Sequence, residues 1–150
     1  MKSSSPFGNS ELAKLIEMLQ RSDFENGKCI MPGVYEVETE KGAVYKIGTL
    51  VFCAHALTLI RNRQPIKLRK QEALLLRLFL AWPYLYVSRQ VLMEALWEDL
   101  DTSKVDCNGR LNVTIDRLKR SLKAGDPNIR ILCERGVGYK LFVHVPENPE

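Results

Sequence analysis

Residues 109–143 constrain the fold most, because two patterns of different period lie almost end to end there. Residues 109–123 read GRLNVTIDRLKRSLK. Leu111, Ile115, Leu118 and Leu122 recur at spacings of four, three and four, one apolar stripe at the period of an α-helix. Arg110, Val113, Thr114, Arg117 and Ser121 recur at the same spacings on another face. Lys119, Arg120 and Lys123 add charge along the flanks, and with Asp116 as the one acid the stretch carries +4. Gly125, Asp126, Pro127 and Asn128 end it. Residues 129–133 then read as a strand. Arg135, Gly136, Val137 and Gly138 form a tight turn whose glycines can supply positive φ. Residues 139–143 return as the second strand of a hairpin.

The preceding segments keep the helical period. Residues 70–81 are dense in Leu and Ala and stop before Trp82-Pro83-Tyr84, where proline cannot continue a helix. Ser88 is an N-cap for a helix over 89–97, with Val91, Leu92, Ala95 and Leu96 inward and Trp97 closing it. A loop follows in which Glu98, Asp99, Asp101 and Asp106 stand against Lys104.

Residues 30–68 change period. Val34, Tyr35 and Val37 partly alternate with Glu36 and Glu38, Lys41-Gly42 suits a turn, and residues 44–52 are rich in β-branched and aromatic side chains. Residues 56–60 and 65–68 flank a polar turn over 61–64. The pattern predicts an antiparallel meander of three or four strands. Before it, Asn9 or Ser10 caps a helix whose Leu12, Leu15, Ile16 and Leu19 lie on one face, and DFENGK over 23–28 reads as a linker.

The order predicts an α+β fold: a winged helix-turn-helix with an N-terminal antiparallel β-meander, a three-helix core and a C-terminal β-hairpin wing. In such an arrangement the third helix enters the DNA major groove and the hairpin reaches the backbone or the minor groove. Arg110, Val113, Thr114 and Arg117 then face base edges, where arginine can pair with guanine and valine or the threonine methyl can pack on thymine. Asn112 suits adenine or phosphate. Lys119, Arg120 and Lys123 suit phosphates, and Arg135 at the hairpin tip suits the minor groove or phosphate. Trp97 and Tyr139 either donate to phosphates or belong to the core. Charge agrees with this placement: residues 1–44 hold five basic and seven acidic side chains, and residues 45–150 hold seventeen and eleven.

Other classes fit poorly. Cys29, Cys53, Cys107 and Cys133 make no CxxC pair, and His55 and His144 stand at no ligand spacing from them, so neither a metal nor another cofactor is expected. Cys107 is the one thiol weighed as a redox sensor, because it precedes the basic helix. Nothing pairs a nucleophile with a base at motif spacing, so no enzyme is expected. No apolar run is long enough to span a bilayer and no signal-peptide core is present, which makes the cytoplasm the default address. The alternative to sequence-specific DNA binding is a winged-helix protein-interaction module, since fold alone does not settle function.

Four motifs in register resemble the OmpR/PhoB-type DNA-binding domain of bacterial two-component response regulators, over about residues 47–142. They are LRKQEALLL at 68–76, Val87-Ser88-Arg89 with Leu92 and Trp97, VTIDRLKRSL at 113–122, and RGVGY at 135–139. Gly109 and Arg110 stand where that family keeps an arginine and then a threonine, Arg69 where a capping threonine is common, and Thr114 at a histidine. The resemblance implies double-stranded DNA as partner and a second copy of the chain beside it on DNA. It also implies RNA polymerase at the acidic loop (Glu98, Asp99 and Asp101), for which a solvated loop is the alternative. PFGNSELAKLIEMLQR at 6–21 is similar to the last helix of a receiver domain. That implies a C-terminal piece of a longer regulator, with its own receiver as a partner and the phosphoacceptor aspartate outside this chain. Residues 1–28 are then the receiver-derived helix and linker, or else an accessory helix packed on its own domain. Residues 29–145 are the winged helix and residues 146–150 a disordered tail.

Overall fold

The computed structural model describes residues 27–39, 42–61, 64–98 and 107–145. It opens on an antiparallel sheet whose strands follow sequence order: β1 (Lys28–Met31), β2 (Val34–Thr39), β3 (Gly42–Ile47), β4 (Leu50–Cys53), β5 (Thr58–Arg61) and β6 (Gln64–Lys67). The sheet therefore has six strands where the pattern predicted three or four. The β-rich run over 44–52 is two strands, because Gly48 takes φ +58 and the chain reverses to pair Ile47 with Leu50. The end of the expected linker is also a strand, pairing Lys28 with Glu36 and Cys29 with Tyr35.

Period two gives the sheet two apolar faces. Val34, Ile47, Leu50, Phe52 and Leu59 join the main core with the helices, and the Tyr45 ring stacks on Phe52 at 6.1 Å. Val44, Cys53 and Ile60 form a smaller cluster on the other face.

Three helices follow: α1 (Lys70–Ala81), α2 (Arg89–Leu96) and α3 (Cys107–Gly125). Arg69 is the N-cap of α1 and its side chain makes no capping bond, while Glu72 is buried in the first turn with its carboxylate 3.8 Å from the Arg69 guanidinium. α1 stops before Trp82-Pro83 as the proline demands. Ser88 caps α2, its hydroxyl accepting from the Val91 N–H at 3.2 Å. Val91, expected inward, is 40 % exposed, and Met93 is buried with Leu92 and Leu96 instead. In so short a helix either flank of the Leu92–Leu96 row satisfies the period, and here the core lies on the Met93 side.

α3 starts two residues before the expected stretch and ends two after it. Leu111, Leu118 and Leu122 are at most 1 % exposed. Burying each contributes about 1.5–3 kcal/mol, which fixes the roll of the helix about its axis. β7 (Ile129–Glu134) and β8 (Gly138–Val143) form a separate two-stranded sheet turning at 135–137. Strands, three helices and a terminal hairpin make a winged helix.

One buried carboxylate joins the end of α3 to the sheet. Thr49, in the β3–β4 turn, donates its N–H (2.9 Å) and hydroxyl (3.0 Å) to Asp126, and the Asn128 N–H donates to the other oxygen (2.9 Å). A side chain on Gly48 would collide with this carboxylate. Burial pushes the Asp126 carboxyl up, but the three bonds outweigh it and hold the group below the ordinary carboxylate range. The N-terminal helix expected from about residue 10, the tail 146–150 and the acidic loop past Glu98 lie outside the described residues.

Candidate nucleic-acid interface

The buried stripe of α3 dictates what the helix presents outward. Arg110, Val113, Arg117 and Arg120 are exposed and follow one another at i, i+3, i+7 and i+10, so they form one outward row. Asn112, Asp116, Lys119 and Lys123, also exposed, form a second row beside it. Lys119 and Lys123 line an open groove between α3 and β7, with Arg130 on its strand side. Val113, 46 % exposed, is an apolar side chain set among cations.

Thr114 departs from the expectation. It is 7 % exposed, and its hydroxyl donates to the Arg110 carbonyl at 2.9 Å. The helical period puts it at the edge of the stripe carrying Cys107, Leu111 and Leu118, so it turns inward and offers neither methyl nor hydroxyl to a base. Cys107, weighed as a sensor thiol, is 3 % exposed in the first turn of α3.

The hairpin carries Arg135 and Val137 exposed at its tip. Next to its turn, the second strand is fixed by paired hydrogen bonds between Val87 and Tyr139 (2.7 and 2.9 Å). Gly138 makes this approach possible: it takes φ +154, and a Cβ there would run into the Val87 carbonyl. Lys140 lies 4.7 Å over the Tyr86 ring, a cation–π contact on the same strand.

Arg89 links the helix to the wing. Its guanidinium donates to the Tyr139 hydroxyl (2.7 Å), to the Asn108 side-chain oxygen (3.1 and 3.2 Å) and to the Asn108 carbonyl (3.1 Å). Its charge also lies 5.9 Å from the Tyr139 ring centre. Arg89 was legible only as a letter of the Val87-Ser88-Arg89 motif. A signal existed, since an arginine in the first turn of the middle helix can reach both following elements.

The structure thus brings Arg110, Val113, Arg117 and Arg120 together on α3 and sets Arg135 apart on the wing tip. Trp97, the C-cap of α2, is partly buried against the main core, and Tyr139 is partly buried and engaged by Arg89. Glu98 is exposed, while Asp99 and Asp101 lie outside the described residues. Among the described residues no group of His, Cys, Asp and Glu is gathered to hold a metal, and no helix is long and apolar enough to cross a membrane.

A family model described as "Transcriptional regulatory protein, C terminal" matches residues 63–141, just over half of the chain. No curated protein matches the chain. Among solved structures, the DNA-binding domain of E. coli CadC is 24 % identical, with 63 % of this chain and 87 % of that chain covered and a TM-score of 0.55. A RitR mutant is 24 % identical over 63 % of this chain and 41 % of that one, with a TM-score of 0.53. A streptococcal protein, from a family titled as redox sensors evolved from two-component response regulators, is 22 % identical over 93 % of this chain and 56 % of that one, with a TM-score of 0.54. The chain therefore spans about half the length of the last two. These likenesses bear on the fold.

Proposed function

The chain belongs to the OmpR/PhoB-type family of transcriptional regulatory protein C-terminal domains, and on that premise we propose that it binds double-stranded DNA sequence-specifically as the effector part of a response regulator. The observation that carries this reading is the outward row Arg110, Val113, Arg117 and Arg120 on a helix whose roll is fixed by a buried stripe. In the major groove, Arg110 and Arg117 would pair with guanine edges and Val113 would pack on a thymine methyl. Asn112 suits adenine or phosphate at the edge of the row. Arg120, Lys119 and Lys123 would meet phosphates, and Arg135 would reach the minor groove or backbone. Tyr139, which accepts from Arg89, still has its own hydroxyl proton to donate to a phosphate.

The test is selection of bound sequences from a randomised duplex pool, with footprint length recorded. A common motif, bound with a steep salt dependence, supports the reading. A pool that never converges removes it. Footprint length also tests whether two copies sit side by side. A receiver domain as partner rests on the motif resemblance of residues 6–21, and RNA polymerase at the acidic loop after α2 rests on the family resemblance alone, with a solvated loop as the alternative.

A second reading, a protein-interaction module, is favoured by Trp82, Tyr84 and Leu85, which are 40, 62 and 58 % exposed in the α1–α2 connection. A partner retained at high salt and after nuclease treatment would support it.

A further inference from the structure

The groove between α3 and β7 carries charge of one sign. Lys119 and Lys123 stand on its helix bank and Arg130 on its strand bank, all three exposed. No acid lines it, and among the described residues none of the three cations has an ion pair. Its floor is apolar, since Leu122, Ile129 and Ile131 are at most 6 % exposed.

The fold builds this arrangement from both sides. Ile129 and Ile131 turn into the core, so Arg130 between them turns out. The banks meet in a fixed turn, where the Asn128 N–H donates to the Asp126 carboxylate (2.9 Å) and the Ile129 N–H to the Asp126 carbonyl (3.1 Å). Like charges held across an apolar floor repel one another and focus their field on an anion. Only the fold sets Arg130, on a strand, opposite two lysines of a helix.

We propose, on the premise that α3 reads DNA in the major groove, that one sugar–phosphate strand of the duplex runs through this groove. Lys119 and Lys123 clamp it from one bank and Arg130 from the other. The dimensions select a DNA strand over an acidic protein. A helix with its side chains is about 10–12 Å across and the major groove is about 12 Å wide, so a helix lying there has a strand along each flank. Lys119 and Lys123 occupy the flank that faces β7. The strand on that side therefore meets Arg130 on its far side, and Arg135 at the hairpin tip reaches the minor groove beyond the same strand.

The experiment is titration of the full chain against the selected duplex and an unrelated duplex at several salt concentrations. Arg130→Gln is expected to lower the slope of log affinity against log salt by about one unit on both duplexes, without changing the preference between them. Arg130→Lys, which keeps the charge, is expected to keep the wild-type slope. Lys28→Gln removes an exposed cation from β1 and is expected to leave the slope unchanged. The path of the strand is then mapped by replacing each phosphate in turn with an uncharged methylphosphonate. The replacement that weakens the wild type but not Arg130→Gln is expected at the same phosphate, or the next one on the same strand, as the replacement to which Lys123→Gln is insensitive.

Salt-dependent binding by the wild type with an unchanged slope in Arg130→Gln overturns the clamp and leaves the reading of α3 standing; an acidic protein is then the better occupant. Mapping of Lys123 and Arg130 to opposite strands also overturns it. So does an equal loss of slope in Lys28→Gln, because net charge alone then accounts for the effect. Wild-type binding that ignores salt removes the reading of α3 and the clamp together.

Discussion

The Arg89 guanidinium donates to the Tyr139 hydroxyl at 2.7 Å while holding both oxygens of Asn108, so one side chain fastens the first turn of α3 to the wing. Arg89→Lys keeps the charge but cannot fork to both partners. It is expected to weaken DNA binding about tenfold, roughly 1.4 kcal/mol, and to loosen the wing relative to α3. Tyr139→Phe removes one of these bonds and is expected to cost less, with an unchanged salt slope. Titrations at several salt concentrations, with amide exchange at Tyr139, check both.

Asp126 gives the acid side of the stability profile a defined sign. Its folded carboxyl titrates below the ordinary 3.8. Its contribution is therefore complete above the unfolded value and is lost as pH falls through the folded one. Thermal melts are expected to show the wild type losing more stability than Asp126→Asn below about pH 4. At neutral pH, Asp126→Ala is expected to cost about 1–3 kcal/mol, because the Thr49 and Asn128 donors lose their buried acceptor.

Two wing glycines separate strain from contact. Gly136 takes φ +79 and a Cβ there would meet nothing, so Gly136→Ala is expected to cost only the backbone term, about 1–2 kcal/mol. Gly138→Ala adds a collision with the Val87 carbonyl and is expected to cost about 2 kcal/mol more. Denaturant titration of both variants measures the gap.

Thr114 and Val113 are neighbours with opposite duties. Thr114→Val loses only a hydroxyl bonded within its own helix, and is expected to shift stability by about 1 kcal/mol or less and leave the selected DNA sequence unchanged. Val113→Ala is expected to leave stability intact and relax the preference at one base pair. Repeating the pool selection with each variant distinguishes them.

Much of this was legible in the sequence for a physical reason. RGVGY announces its turn because glycine alone relieves the backbone there, and Ser88 announces a helix start because its hydroxyl replaces a missing acceptor. The stripe from Leu111 to Leu122 sets the helix but not its edges, so the period alone does not tell that Thr114, one step off the stripe, turns inward. Val91 and Met93 exchanged places for the same reason in a shorter helix. The β3–β4 reversal at Gly48 was hidden inside a uniformly β-rich run. Asp126 read as a helix stop, since its partner Thr49 is 77 positions away. Arg89 binds two elements that only the fold brings together.

Arg117 stands near the middle of the outward row of α3 that is proposed to read DNA. The most direct measurement is the affinity of the wild-type chain and of Arg117→Ala for the selected duplex and for an unrelated duplex, across a range of salt. Steep salt dependence is expected for both proteins, with Arg117→Ala losing roughly 1–3 kcal/mol on the selected duplex and far less on the unrelated one. Equal losses on both duplexes, or wild-type binding that ignores salt, would contradict it.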